Sequence, residues 1–179
     1  MKRQKGFSLI ELLIVVAIIL IIAAIAIPNL LRSKIAANES SAVGSVRTIG
    51  TAEVTYSSSW GVGYAQTLQM LGSNGAPTCT TATSTAACLI DPLLSATTPV
   101  KSGYQFDAAG TLPDVNKILN GFEVAAWPTN VQTTGVRGFC DDQTGVIRFI
   151  SPSPASLSVT GGTCAAVPST PGVSGPVGN

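Results

Sequence analysis

From Phe7 to Ile27 the chain runs for 21 residues in which the only polar side chains are Ser8 and Glu11. A helix rises about 1.5 Å per residue, so this segment matches a hydrocarbon core roughly 30 Å thick and spans a membrane as one helix. Fifteen of the 21 positions are Phe, Leu, Ile or Val. At roughly 0.3 to 0.6 kcal/mol each they favour insertion by about 4.5 to 9 kcal/mol in total. A carboxylate costs about 2.5 to 3.5 kcal/mol at the bilayer centre and less near an end, where Glu11 lies. The span therefore inserts in spite of its acid. An ionisable group in such a segment marks a function with a partner to be named.

Before this span stand Lys2-Arg3-Gln4-Lys5-Gly6, and after it comes Pro28. A secretory signal peptide also has basic residues followed by an apolar run, and Ala24-Ile25-Ala26 imitates its small-residue cleavage site. The run here exceeds the usual 7 to 15 residues or so of such a region, and Glu11 interrupts it near its start. A plain single-span anchor has no use for that acid.

The leader, the Phe7-Ser8-Leu9-Ile10-Glu11 sequence and the apolar run ending at Pro28 resemble the N-terminus of type IV pilins and of the related type II secretion pseudopilins. The resemblance is specific over residues 1 to about 35 and is one of general architecture beyond. It implies cleavage by a prepilin peptidase between Gly6 and Phe7, and N-methylation of the new terminus at Phe7. It also implies that Glu11 pairs with the terminal ammonium of a neighbouring subunit during assembly. An amine at Phe7 and a carboxylate at Glu11 stand one helical turn apart, so each is able to meet its own partner or another chain's. Breaking a buried pair costs about 3 to 5 kcal/mol, whereas the formed pair is near neutral against apolar packing. Such a pair sets register between helices better than it glues them.

By the positive-inside rule Lys2, Arg3 and Lys5 stay cytoplasmic and the remainder is exported to an oxidising space. Removing three of the ten basic residues leaves seven against nine acidic ones, a net charge of −2. Beyond Trp60 only Lys101, Lys117, Arg137 and Arg148 face six acids, a poor footprint for nucleic acid. The chain has no histidine, which removes Ser-His-Asp and Cys-His catalysis and the commonest zinc ligand sets. Cys79, Cys88, Cys140 and Cys164 allow three pairings. We take the neighbour pairs, Cys79 with Cys88 and Cys140 with Cys164, worth about 2.7 and 3.5 kcal/mol by loop closure. Free thiols or a four-cysteine metal site are the alternatives, the latter lacking the spacing of structural zinc.

Pro28 interrupts a pattern that otherwise reads as continuous helix, and a kink is expected there. Ile35, Ala42, Val43, Val46, Ile49 and Tyr56 recur at steps of three and four, while Arg32, Lys34, Glu39 and Arg47 read as the polar positions between them. The helix is placed at about residues 7–58, stopped by Ser57-Ser58-Ser59, Gly61 and Gly63. A short helix over Gln66 to Leu71 and an irregular stretch over 73–98 follow. Strands are expected at Gly103 to Asp107, Gly121 to Trp127, Gly135 to Cys140 and Gly145 to Ile150, with Asp141-Asp142-Gln143-Thr144 as a hairpin loop. Asp141 and Asp142 suggest calcium, but further oxygen ligands are lacking and turn chemistry explains both equally well.

The expected fold is α+β and pilin-like, a long kinked N-terminal helix on a small antiparallel sheet of about four strands. Its parts are a leader at 1–6, a span at 7–28, an amphipathic extension at 29–58, a globular head at 59–164 and a flexible tail at 165–179. The resemblance implies the major subunit of a type IV pilus, serving motility, adhesion or DNA uptake. It also implies a helical homo-oligomer drawn from membrane lipid, needing a prepilin peptidase, an inner-membrane platform and an assembly ATPase. No enzyme, cofactor or metal role is expected. A pseudopilin is the nearest alternative, and a membrane-anchored binding module or enzyme the more distant one.

Overall fold

The computed structural model describes residues 7–157, 159, 161, 162, 164–167, 169, 170 and 172–177. The leader, with Lys2, Arg3, Lys5 and Gly6, lies outside the described residues, as do Pro168 and Pro171 of the tail. The chain divides into two compact units, Met1–Lys34 and Ile35–Asn179. Helix α1, Leu9–Trp60, is assigned without a break through Pro28.

In the first unit, the residues from Leu9 onward are helix, and its large apolar side chains as far as Leu31 are exposed. In the second, four residues of the expected stripe, Ala42, Val46, Ile49 and Tyr56, are buried in the main core together with Ala52, while Val43 is partly buried against it and Ile35 is half-buried outside it. Residues three and four apart share a helix face, which is why these positions meet one surface. The helix ends where Gly61 takes φ 62° and donates its N–H to the Ser57 carbonyl at 3.0 Å. A residue without Cβ adopts that left-handed conformation cheaply. Helix α2, Leu68–Leu71, turns Leu68 and Leu71 inward and stops at Gly72.

The sheet has six antiparallel strands, not four, arranged in sequence order. They are β1 Val100–Lys101, β2 Tyr104–Pro113, β3 Leu119–Pro128, β4 Gly138–Asp142, β5 Arg148–Ile150 and β6 Ser174–Pro176. One sheet face carries Tyr104, Phe106, Ala108, Phe122, Val124, Ala126 and Phe139 against α1. The strand period of two sends Gln105, Asp107, Glu123, Ala125, Trp127, Cys140 and Asp142 to the other face. There Cys140, Cys164 and Val167 make a second small core with Ile150 packed against it.

Several boundaries differ from expectation. Strand β2 runs on to Pro113, because the Asp114 carboxylate accepts the Asn116 and Ile118 N–H groups, both at 2.8 Å, and ties off a long β2–β3 hairpin. Asp141 and Asp142 belong to β4 and are buried, and the turn begins only at Gln143. The tail contributes β6, whose residues pair with β5 and are partly buried, so it is ordered there through backbone bonding. Glu39 is buried and not a solvent-facing position.

Candidate assembly helix and the buried acids behind it

At the start of α1, the Ser8 N–H donates to Glu11 Oε2 at 3.0 Å, and the Ser8 carbonyl accepts the Leu12 N–H at 3.2 Å. This is one arm of a capping box, in which an acid three residues into the helix reaches back to an orphan backbone donor. It also sets a negative group at the positive end of the helix dipole. A Ser-x-x-Glu pattern was readable at Ser8 to Glu11, and the sequence reading passed over it. Phe7 stands beside this turn, exposed. From Phe7 to Leu31, every large apolar side chain is between 45% and 77% exposed. An 18-residue window of this helix reaches a mean hydropathy of 3.3 with no part of it buried. A helix that is apolar all round needs lipid or other helices to cover it.

A family model for the prokaryotic N-terminal methylation motif matches residues 1–27. The N-terminal segment is similar to that of type IV pilins. The chain is 62% identical over 39 residues to "Type IV wide pilus major component PilA4" of Thermus thermophilus, covering 22% of this chain and 30% of that protein. It is 46% identical over 54 residues to "Type IV major pilin protein PilA" of Myxococcus xanthus, covering 30% and 24% respectively. A "Fimbrial protein" of Pseudomonas aeruginosa is 79% identical over 29 residues, 16% of this chain and 19% of the relative. The chain thus spans less than a third of the length of these pilin relatives. No solved structure matches it.

The second unit holds a set of buried acids that sequence reasoning missed as a group. Glu39 Oε1 accepts the Val136 and Arg137 N–H groups at 2.9 and 3.0 Å, while Oε2 meets Arg137 Nε at 2.8 Å and Nη2 at 2.7 Å. The Arg137 guanidinium also lies over the Phe139 and Phe149 rings at 5.6 and 5.7 Å. This ties α1 to the approach to β4, where Gly135 to Arg137 were expected to be strand. Glu53 is fully buried, with Oε2 accepting the Ala65 N–H at 2.9 Å and Oε1 without a hydrogen-bond partner among the described residues. Burial pushes its carboxyl up to about 8, against the opposing pull of the Ala65 N–H. Glu123 grips the C-terminal loop, accepting the Gly161 N–H at 2.9 Å and the Cys164 N–H at 3.1 Å.

Asp141 faces α1, where a Cβ on Gly50 would fall 2.8 Å from its Oδ2. Burial raises its carboxyl to about 6; its contact with the Asp142 N–H opposes this, the Asp142 charge adds to it and Arg47 pulls it back. Asp142 lies on the opposite face as the register partner of Glu123. Asp141 and Asp142 therefore do not converge on one cation, and among the described residues no group of three or more acids or cysteines does.

Cys79 is bonded to Cys88 and Cys140 to Cys164, each with Cα atoms 5.7 Å apart. The first closes the loop after α2. The second fixes the loop after β5 to the sheet.

Proposed function

We propose that the chain is the structural subunit, a major pilin, of a type IV pilus, and not an enzyme. The observation that carries the reading is a helix end with the methylation motif, an acid in its first turn and apolar side chains exposed on all sides. Such a helix leaves lipid only when copies of itself take over its apolar surface. A contact between unlike patches, repeated by a rotation that does not close, gives an open helical filament. The named relatives, two of them major pilus components, support the same conclusion.

In this reading the leader is held in the cytoplasm until a prepilin peptidase cuts between Gly6 and Phe7, after which Phe7 is N-methylated. The precursor sits in the inner membrane, and the mature subunit is passed by an assembly platform and its ATPase into a surface filament. The Phe7 ammonium of one subunit meets the Glu11 carboxylate of another, which sets the step between helices. Glu11 meanwhile exchanges its bond to the Ser8 N–H for that charge. Pro28 removes one helical N–H and gives the helix a place to bend or open as it packs.

The test combines mass spectrometry of the amino terminus with electron microscopy of sheared surface material. Filaments built from this chain, starting at methylated Phe7, uphold the reading. An unprocessed membrane monomer rejects it, and short periplasmic filaments confined to a secretion apparatus replace it with the pseudopilin alternative. Glu11→Ala is expected to leave insertion and leader removal intact while suppressing incorporation into filaments by tenfold or more. Unimpaired assembly removes the registration role.

A further inference from the structure

Two asparagines of the chain precede a glycine, Asn74 before Gly75 and Asn120 before Gly121. A glycine has no Cβ to shield its backbone nitrogen and turns freely about φ. That nitrogen can reach the carbonyl carbon of the asparagine side chain and close a succinimide ring with it. Nucleophile and target sit on adjacent residues, so the step is unimolecular and depends on whether the local backbone permits the approach. The fold treats the two pairs differently.

Asn74 and Gly75 are exposed, at the tip of the turn that follows α2. The flanks of this turn are tied down. The Asn74 N–H donates to the Gln69 carbonyl at 2.9 Å and the Ala76 N–H to the Ser73 carbonyl at 3.1 Å, while the Ser73 hydroxyl donates to the Ala76 carbonyl. Between these ties, the Gly75 N–H and the Asn74 side-chain amide have no hydrogen-bond partner among the described residues. Asn74 takes φ 51° and Gly75 φ 81°, and nothing lies within 4 Å of a Cβ built at Gly75. The nitrogen is open to base, and the ring has room.

Asn120 and Gly121 stand in β3, where Gly121 is buried and is the register partner of Thr111. A Cβ there would fall 2.8 Å from Thr111 Oγ1 and 2.9 Å from Leu112 Cδ1. Asn120 Nδ2 donates to the Ile118 carbonyl at 3.3 Å. Ring closure at this pair has to rotate backbone that the strand pairing holds extended. The same dipeptide is therefore free at one position and restrained at the other.

We propose that Asn74 is a self-modification site, converted in the folded chain to aspartate and isoaspartate, while Asn120 is protected. The Gly75 nitrogen, after giving its proton to hydroxide, bonds to Asn74 Cγ; the Cγ–Nδ2 bond breaks, and the amide leaves as ammonia with a proton from water. Water then adds to either ring carbonyl and the bond from that carbon to the nitrogen breaks, leaving a carboxylate in both products. Nothing is oxidised or reduced, and water is the one co-reactant. From residue 54 to residue 90 the chain has no charged side chain, so the change puts the first negative charge on that stretch and records the age of the molecule.

The proposal does not depend on filament assembly. The experiment incubates the full chain in detergent micelles in mildly alkaline buffer, folded or in urea, and follows the products by mass spectrometry against a sample digested at the start. After reduction, the tryptic peptides 48–101 and 118–137 carry the two sites separately. In the folded chain Asn74 is expected to convert tenfold or more faster than Asn120, giving both aspartate and isoaspartate. In urea the two rates are expected to converge. Gly75→Ala is expected to slow conversion at Asn74 tenfold or more without altering the circular dichroism spectrum. Conversion at Asn74 only in urea, a folded-state rate no greater than that of Asn120, or aspartate formed without isoaspartate overturns the proposal.

Discussion

Glu53 offers the sharpest test of how this head is built. Its ordinary carboxyl value of 4.5 rises to about 8 in the folded chain. Between those limits the folded state holds a proton that the unfolded state has released, so the native state binds more protons and stability falls as pH rises. The slope is about 1.4 kcal/mol per pH unit, so holding Glu53 neutral at pH 7 costs on the order of 3 kcal/mol. Asp141 acts with the same sign, but its window closes near pH 6. Glu53→Gln keeps an oxygen for the Ala65 N–H and cannot ionise. Its second buried polar atom lacks a partner, as Oε1 does already. Urea unfolding of the full chain in micelles, followed by Trp60 and Trp127 emission, reads the difference. The parent is expected to lose about 2 kcal/mol between pH 6.5 and 8 and the variant almost nothing. The variant is also expected to be the more stable of the two at pH 7. Parallel pH profiles, or a variant less stable at pH 7, would refute the reasoning.

Other expectations follow from the same packing. Glu39→Ala leaves two backbone N–H groups and a half-exposed guanidinium without their acceptor and is expected to cost about 2 to 4 kcal/mol in urea unfolding, less than a fully buried ion pair because Arg137 rehydrates. Glu123→Ala frees the Gly161 and Cys164 N–H groups; a loss of about 2 to 4 kcal/mol and faster proteolysis within residues 151–167 are expected. Gly44 and Gly50 both lie in α1, and replacing either by Ala gains about 1 kcal/mol of helix propensity. Nothing lies within 4 Å of a Cβ at Gly44, so Gly44→Ala is expected to stabilise by that amount. At Gly50 the clash with Asp141 costs about 1 to 3 kcal/mol, so Gly50→Ala is expected to destabilise or break even.

The long helix and its inward stripe were legible because composition fixed the span and a step of three and four fixed the face. Four strands were found because their apolar residues alternate. Val100–Lys101 and Ser174–Pro176 were not, since they join the sheet through backbone bonds and carry no alternation. The buried acids were missed for another reason. Glu39 and Glu53 fall on the stripe that runs through Ala42, Val46, Ile49 and Tyr56, at the same three- and four-residue steps. Glu39 was taken as a polar position between the apolar ones and Glu53 was passed over, when the place of each on the stripe already pointed inward. Glu123 gave no such sign, because strand alternation sets it on the face opposite Phe122 and Val124, and its partners at Gly161 and Cys164 lie about forty residues away and leave no local mark.

Because the strands are stacked in the order in which they are synthesised, each can pair with its predecessor in the chain. Short-range closures of this kind are entropically cheap and fast. The seam between α1 and the approach to β4, where Glu39 waits for Val136 and Arg137 across nearly a hundred residues, is the slow stitch. Until it is drawn tight, strands paired by short closures lack this tie to the helix.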